Sequence, residues 1–138
     1  MNATELKDKA VLATNFLQYK GYSIGKIGVN IVEVKFEPGF EAELEDAEAI
    51  VKHLGKLCIN NKPVLLLALY ADDNIFSKEA RQFVASKEVN SIVKAEALVL
   101  SSMALRIMGN FYLKINKPAR ESKLFNSRNA AFEWLSKR

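Results

Sequence analysis

The sequence predicts an α/β fold: a single mixed sheet of four to five strands flanked by helices. The first observation is residues 64–70, seven apolar residues in a row between Pro63 and the pair Asp72 and Asp73. A strand with one solvated face would alternate apolar and polar residues, so this run predicts a strand covered on both faces. The second observation is that helix-like periodicity flanks the run on both sides, which could supply the covering layers.

Composition favours one globular domain over residues 1–138, with residues 1–20 as a candidate N-terminal helical extension. Hydrophobic residues make up 49% of the chain and charged residues 26%, which is the ordinary globular range. No apolar run approaches the roughly 20 residues of a membrane span, and residues 1–20 lack the apolar centre of a signal peptide. The single cysteine, Cys58, favours a reducing, cytoplasmic location.

The positive charge is concentrated in the last third of the chain. Residues 106–138 hold 8 Lys and Arg against 2 Asp and Glu, whereas residues 1–105 hold 12 against 14. A basic end of this kind can attract an acidic partner or an anionic surface, and it can also be a solvated face without a partner. We expect association with acidic partners, if it occurs, to weaken with salt.

The first third predicts a hairpin after an ambiguous start. Residues 4–20 fit a helix with Thr4 as N-cap and Gly21 as stop. Residues 11–19 would also pair as a strand, so both structures stay open. Residues 22–27 and 31–36 predict an antiparallel hairpin, because apolar and charged side chains alternate in its second arm.

Helices and strands then alternate. Residues 43–57 predict a helix, because apolar residues recur every three or four positions and the acidic residues crowd its first turns, where the helix dipole favours negative charge. Ser77 can cap a helix that runs through residue 85. A short helix or loop over residues 88–94 then precedes a second buried strand at residues 95–100.

The last third predicts two further helices around a short strand. Ser101 and Ser102 can cap a helix that extends to residue 115. Gly109 inside that helix costs about 1 kcal/mol relative to alanine and therefore indicates close packing or a helix break. Residues 122–125 predict the last strand. Asn126 or Ser127 then caps a final helix, whose predicted buried residues are Ala131, Trp134 and Leu135.

Several strings in this order resemble the STAS/SEC14-type, SpoIIAA-like bacterial proteins over about residues 22–136. The strings are Lys-Phe-Glu-Pro-Gly at 35–39, Leu-Glu-Asp-Ala-Glu at 44–48, Pro-Val-Leu-Leu at 63–66, Ser-Lys-Glu-Ala-Arg at 77–81, Lys-Ala-Glu-Ala-Leu-Val at 94–99, Met-Gly-Asn-Phe-Tyr-Leu-Lys-Ile-Asn-Lys-Pro at 108–118, Leu-Phe at 124–125 and Ala-Phe-Glu-Trp-Leu at 131–135. The resemblance implies a mixed sheet of four or five strands flanked by helices.

The resemblance also implies a regulatory role. The better-known relatives are anti-anti-sigma factors, in which a serine in an Asp-Ser-Ser-Gly string is phosphorylated at the start of the helix after the central strand. The corresponding residues here are Asn-Ile-Phe-Ser-Lys at 74–78, which lack the preceding Asp-Ser and the following Gly. Ser77 lies near the equivalent position, and its expected role is that of a helix cap.

The residue types required by common catalytic and metal sites are scarce. His53 is the single histidine, so one chain cannot form a multi-histidine metal cluster or an HExxH site, and we expect no His-paired nucleophile. The sequence contains no P-loop, dinucleotide-binding fingerprint or GxSxG string. We therefore expect no enzymatic activity, no cofactor and no metal.

A candidate binding site follows from the two buried strands. If they are parallel neighbours, their carboxyl ends lie side by side, and each precedes a serine-capped helix whose free N–H groups favour an anion. The candidate residues of this edge are Asp72, Asp73, Ser77, Arg81, Ser101, Ser102 and Arg106. The expected ligand is an anionic headgroup, a phosphopeptide or an acidic side chain.

Two functions are compatible with these observations. The first is a non-catalytic regulatory or protein-interaction module of the STAS-like type. The alternative is a carrier of a small apolar ligand or lipid of the SEC14-like type, with residues 103–115 as a lid over a cavity of several hundred Å³. The candidate partners are a protein or a small anionic ligand. Nucleic acid is not expected, and homo-oligomerisation stays open.

Overall fold

The fold is built on a mixed β-sheet with helices on both faces. A computed structural model describes residues 16–138 of the chain. The strands within these residues are β1 (Phe16–Tyr19), β2 (Tyr22–Lys26), β3 (Ile31–Phe36), β4 (Glu41–Ala42), β5 (Val64–Leu69), β6 (Ile75–Phe76), β7 (Val93–Val99) and β8 (Glu121–Phe125). The helices are α1 (Leu44–Lys56), α2 (Lys78–Val84), α3 (Lys87–Asn90), α4 (Met103–Phe111) and α5 (Arg128–Ser136), and a π-helical turn, Tyr112–Asn116, continues α4.

Over residues 16–138, the main sheet has six strands in the order β1-β2-β3-β5-β7-β8. The pairs β1–β2 and β2–β3 are antiparallel, whereas β3–β5, β5–β7 and β7–β8 are parallel. Parallel neighbours need a crossover connection; here α1, the α2–α3 pair and α4 supply the three crossovers. The predicted mixed sheet, hairpin and central strand are confirmed, and β4 and β6 add a small parallel pair.

The predicted count of four to five strands was too low, because β1 is a strand. Phe16–Tyr19 pairs with β2, and Tyr19 stands opposite Tyr22 across a tight turn. Gly21, interpreted as a helix stop, is the glycine of this turn: its φ is +89°, and the ring of Phe40 occupies the space of a side chain there. The helix prediction is therefore wrong for residues 16–20, and residues 4–15 lie outside the described part of the chain.

Two apolar cores cover the two faces of the sheet. On β5, Leu65 and Leu67 face the core that contains Ala131 and Leu135 of α5. Ala68 faces the other core, together with side chains of α1, α3 and α4. The continuous apolar run of β5 is thus explained by burial on both faces, as the sequence predicts. Trp134, predicted to be buried in α5, is only half-buried.

The helix caps follow the predicted chemistry. The Oγ atoms of Ser77, Ser102 and Ser127 each accept a hydrogen bond from the backbone N–H three residues later, at 3.1, 3.1 and 3.2 Å. At the start of α1, the backbone N–H of Glu43 donates to Asp46 Oδ2 at 2.8 Å. This bond and the helix dipole explain the acidic first turn of α1 without a metal.

Helix α4 lies close to the sheet at Gly109. A Cβ added at Gly109 would be 2.4 Å from Leu100 Cδ1 and 3.2 Å from Leu124 Cδ2, so the predicted close packing is confirmed. The predicted single helix to residue 115 is wrong in detail, because the chain widens into the π-helical turn after Phe111. The segment ends at Lys117, which has a left-handed backbone conformation with a φ of +47° and directly precedes Pro118.

Candidate functional site

A cavity of about 100 Å³ lies between one face of the sheet and helices α1 to α4. Most of its wall is apolar. The apolar side chains of the wall include Val34, Phe36, Ile50, Leu54, Leu66, Ala68, Leu98, Leu105 and Met108, and the polar residues are Tyr70, Asn74, Arg81, Glu96, Tyr112 and Arg120. A mostly apolar cavity with a few grouped polar side chains is the usual character of a small-molecule site.

The cavity arises from the alternation along the central strands. Leu66 and Ala68 of β5 point to the same face as Glu96 of β7, which stands directly opposite Leu66 in the sheet. Leu66 was expected to be fully buried. It is instead half-buried because it lines the cavity, whereas Leu67, on the other face, is completely buried.

A buried ion pair forms part of the wall. Glu96 Oε2 lies 3.2 Å from Arg120 Nε, and the two side chains are only 5% and 3% exposed. Glu96 Oε1 accepts a bond from Arg120 Nη2 at 3.3 Å, and Oε2 accepts one from the Ser122 hydroxyl at 2.8 Å. The 3.2 Å contact of Nε is an ion pair without hydrogen-bond alignment, so Nε has no hydrogen-bond acceptor among the described residues.

Arg120 also ties together the elements that surround the cavity. Its Nη1 donates to Asn90 Oδ1 at 2.8 Å, and its Nη2 donates to the carbonyl oxygen of Val84 at 2.5 Å. Nη2 lies 3.2 Å from the hydroxyl of Tyr112 in the π-helical turn. One guanidinium therefore connects β7, the α2–α3 segment and the end of α4 with the start of β8.

Two tyrosines beside this pair are held in their neutral form. Burial, followed by the charge of Glu96, raises the pKa of Tyr70 far above its ordinary value of about 10. Burial and Glu96 raise the pKa of Tyr112 in the same way, and the opposing effect of Arg120 is smaller. Both hydroxyls are consequently hydrogen-bond donors at neutral pH and are not candidates for a phenolate base.

Arg81 differs from Arg120 because it has no carboxylate partner among residues 16–138. Its Nη1 donates to the carbonyl oxygen of Phe76 at 2.6 Å, and its guanidinium carbon lies 5.8 Å from the ring centroid of Phe111. Its Nε is buried and lacks a hydrogen-bond partner. A buried donor in this state is rare and costs free energy.

The residues predicted for the anion-binding edge are only partly brought together. Because β5 and β7 are parallel neighbours, their carboxyl ends do lie side by side. Ser77 and Ser102 cap their own helices, and Ser101, Asp72 and Asp73 are exposed. The two arginines diverge: Arg81 lines the cavity, whereas Arg106 bonds to Asn126 beyond the end of β8.

The outer face of α4 and its π-helical turn presents a row of exposed apolar side chains. We call this row the α4 stripe; its members are Met103, Ile107, Met108, Phe111 and Ile115. Their exposed fractions run from 41% for Met108 to 70% for Met103, so none of them belongs to the core. The other large exposed apolar residues in the described part of the chain are scattered over other elements; they are Leu17, Val29, Ile59 and Ile75.

Sequence reasoning missed the polar wall of the cavity, although one signal was present. Glu96 is a charged residue within the otherwise apolar residues 95–100 predicted as a buried strand, and a buried carboxylate requires a partner. Its partner Arg120 carried no such signal, because Arg120 lies in the loop before β8. Tyr112 carried none either, because it follows an apolar helix. Their approach depends on tertiary structure.

Residues 16–138 contain neither a metal-binding cluster nor a membrane-spanning helix. No group of three or more His, Cys, Asp or Glu side chains within residues 16–138 could hold a metal ion. Over the same residues, every helix is too short or too polar to cross a bilayer.

Comparison with solved structures finds the same fold. The chain is similar to an uncharacterised protein of the DUF3478 family with a SpoIIAA-like fold from Shewanella loihica PV-4. The sequence identity is 17%, the TM-score is 0.61, and the match covers 83% of this chain and 94% of that one. The predicted SpoIIAA-like fold is thereby confirmed, and at this identity the likeness concerns the fold alone.

Comparisons of sequence place the chain in a family. No curated protein matches it. A family model described as a domain of unknown function, DUF7793, matches residues 26–138. This match covers most of the chain, which therefore belongs to the DUF7793 family.

Proposed function

We propose that this chain is a non-catalytic protein-interaction module and that the α4 stripe is its docking surface. The observation that supports the proposal is the row of five apolar side chains on one helical segment, each at least 41% exposed. Contiguous exposed apolar surface is costly unless something covers it, and it commonly marks an interaction site. The regulatory part of the proposal comes from the STAS-like resemblance, as does a bacterial origin.

The proposed occupant is an acidic, amphipathic segment of a partner protein. Lys114 and Lys117 are exposed beside the stripe, and residues 106–138 carry a net charge of +6. Such a surface attracts a negatively charged partner and would repel a second copy of itself. Both methionines that follow Met1 belong to the stripe, and methionine is favoured at adaptable protein-binding surfaces.

The π-helical turn helps to keep the stripe on one side. Met103, Ile107, Phe111 and Ile115 are spaced four residues apart, which in a regular α-helix would drift slowly around the axis. The wider turn over Tyr112–Asn116 adds residues per turn and so turns Ile115 back toward Phe111. π-helical turns of this kind occur frequently at functional sites.

A second candidate function, the carriage of a small apolar ligand, is favoured by the cavity. Its volume of about 100 Å³ is smaller than the several hundred Å³ expected for a lipid carrier, so a long acyl chain does not fit. This candidate is thus narrowed to a compact ligand.

The proposed location, the cytoplasm, is based on the single cysteine.

The test is affinity capture from the native host with charge-introducing variants. Ile107→Asp places a charge in the centre of the stripe, and Val29→Asp is the matched control, because Val29 is 82% exposed in the β2–β3 hairpin. We expect one acidic protein to be retained by the wild type and by Val29→Asp and lost with Ile107→Asp. The complex must then form again from the two purified proteins and weaken with salt.

Several results would overturn the proposal. Retention that is equal for both variants would place the docking surface elsewhere. Binding of the purified chain to anionic vesicles with loss in Ile107→Asp would assign the stripe to a membrane surface. A dimer that dissociates only in Ile107→Asp would assign it to a second copy of the chain.

A further inference from the structure

We propose that the cavity beneath α4 binds a small carboxylate with a compact apolar body, and that Arg81 holds the carboxylate group. The proposal rests on the second candidate function, the carriage of a compact ligand in this cavity, and names the ligand class. It is independent of the interaction module, because it concerns the inner face of α4 and the stripe lies on the outer face. Either proposal can fail without the other.

The apolar part of the argument rests on the size of the cavity. A cavity of about 100 Å³ with mainly apolar walls loses dispersion contacts as long as it is empty. A dry apolar cavity of about 150 Å³ in another protein binds benzene. The space here is about two-thirds as large, so it suits at most a single ring or a short branched chain, with the carboxylate at its edge on the half-buried Arg81.

The charge of the wall determines which chemical class fits. Three charged side chains line the cavity: Arg81, Arg120 and Glu96. Glu96 is paired with Arg120. Arg81 is the remaining cation, and no carboxylate within residues 16–138 lies within 4.0 Å of it. Arg81 is half-buried and its Nε is fully buried, and an opposite charge stabilises such a group, so the wall favours an anion.

The geometry of Arg81 identifies which anion. Its Nη1 is occupied by the carbonyl oxygen of Phe76. Its Nε is buried without a hydrogen-bond partner, and its Nη2 makes no hydrogen bond to any described residue. These two atoms form one edge of the planar guanidinium, and that edge matches the two oxygens of a carboxylate.

Tyr70 provides a second donor in the same cavity. Its side chain lines the wall, and burial raises the pKa of its hydroxyl above the ordinary value, so the hydroxyl is a neutral donor. A neutral phenol can donate a hydrogen bond to a carboxylate oxygen, and its ring packs against apolar groups. A ligand that has both a carboxylate and an apolar body would use all of these features.

The test is an NMR titration with benzoate, followed through the methyl groups of the wall. We expect saturable shifts of Leu66, Ala68 and Leu98, and benzyl alcohol, the neutral analogue, should bind at least tenfold more weakly. Arg81→Met should weaken benzoate binding at least tenfold. The matched control is Arg106→Met, which removes an arginine that bonds to Asn126 outside the cavity and should leave the affinity unchanged.

A second variant keeps the proposal testable if Arg81→Met does not fold. Ala68→Val adds two methyl groups to the wall, and it should reduce benzoate binding without removing any charge. Benzyl alcohol binding as tightly as benzoate would overturn the role of Arg81, as would equal losses in Arg81→Met and Arg106→Met. The absence of shifts at the wall at millimolar benzoate, or shifts confined to the α4 stripe, would overturn the site itself.

Discussion

Among the charged residues, Arg120 is expected to have the largest effect on stability. Arg120→Met leaves the carboxylate of Glu96 buried without its cation, which should cost about 3–5 kcal/mol in urea unfolding. In the double variant with Glu96→Leu the loss should be smaller than the sum of the two single losses, because no unpaired charge remains.

An exposed ion pair supplies the control for this prediction. Arg138 Nη2 lies 2.9 Å from Glu121 Oε2, but the side chains of Arg138 and Glu121 are 25% and 54% exposed. Arg138→Met should therefore cost about 1 kcal/mol or less. Additive losses in the double variant, or equal losses for the two arginines, would contradict the assignment of a buried pair at the cavity wall.

A pair of neighbouring leucines tests which face of β5 contains the cavity. Leu67→Ala should cost about 2–5 kcal/mol, since Leu67 is completely buried against the α5 core. Leu66→Ala should cost less, because Leu66 already faces the cavity and has fewer packing contacts to lose. Urea unfolding of both variants measures the order, and the reverse order would place the cavity on the other face.

His53 should make the stability depend on pH. Its ring stacks on Tyr19 with 4.0 Å between centroids, and its Nδ1 lies 3.0 Å from the hydroxyl oxygen of Tyr22. Burial lowers the pKa of His53, and the charges of Lys56 and Lys52 lower it further. The folded state thus favours the neutral ring, and the unfolded chain takes up the proton first as the pH falls below about 6.5.

The sign of the pH effect follows from this difference in proton uptake. The stability contributed by neutral His53 is present above the pKa of the unfolded state and is lost as the pH falls toward the lower folded pKa. Between about pH 7 and pH 5, the wild type should lose more stability than His53→Asn, which cannot titrate. Urea unfolding at several pH values measures this, and a steeper loss in the variant would contradict the predicted direction.

At the scale of elements, the packing of α4 against the sheet can be tested by substituting two glycines. Gly109→Ala gains about 1 kcal/mol of helix propensity, but the new methyl group would overlap Leu100, and overpacking costs about 1–3 kcal/mol. We expect a net loss of about 1 kcal/mol.

The second glycine is the control. At Gly55 in α1 the added Cβ would lie 3.7 Å from Ile92 Cδ1, an ordinary contact. Gly55→Ala should therefore stabilise the protein by up to about 1 kcal/mol. The opposite signs expected for the two variants are measured by thermal or urea unfolding, and a stabilising Gly109→Ala would mean that α4 packs less closely than described.

Local patterns predicted most of these elements and missed those that depend on distant partners. The apolar run of β5 and the serine caps each depend on neighbouring residues, and both are confirmed. The strand β3 is confirmed as well, but the predicted alternation is not, because Glu33 is buried. β1 was ambiguous, because its side chains are only half-buried or exposed and its pairing with β2 decides its structure. The π-helical turn had no local signal either.

At the scale of the whole molecule, the same limit explains what was predicted of the candidate site. The sequence predicts that the carboxyl ends of β5 and β7 meet if the two strands are parallel neighbours, and the structure fulfils that condition. It could not indicate that Arg81 lines a cavity while Arg106 bonds to Asn126, because side-chain direction depends on packing. The cavity itself results from incomplete filling between α4 and the sheet, which no single residue specifies.

The two proposed sites lie on opposite sides of one helix. Leu105, Gly109 and Tyr112 face the cavity, whereas Met103 and Ile107 are exposed on the outer face. Met108 contributes to both, because it lines the cavity and is 41% exposed. Helix α4 is therefore the element on which both proposed functions of the molecule depend.

The central claim, that the α4 stripe docks an acidic protein, is tested most directly by photocrosslinking in the native host. A photoreactive phenylalanine analogue at position 107 reports what covers the stripe, and the same analogue at position 29 reports what touches an exposed apolar residue elsewhere. We predict a crosslink to one acidic protein from position 107 and none to that protein from position 29. Crosslinks from position 107 only to lipid, only to a second copy of the chain, or to nothing at all would contradict the claim.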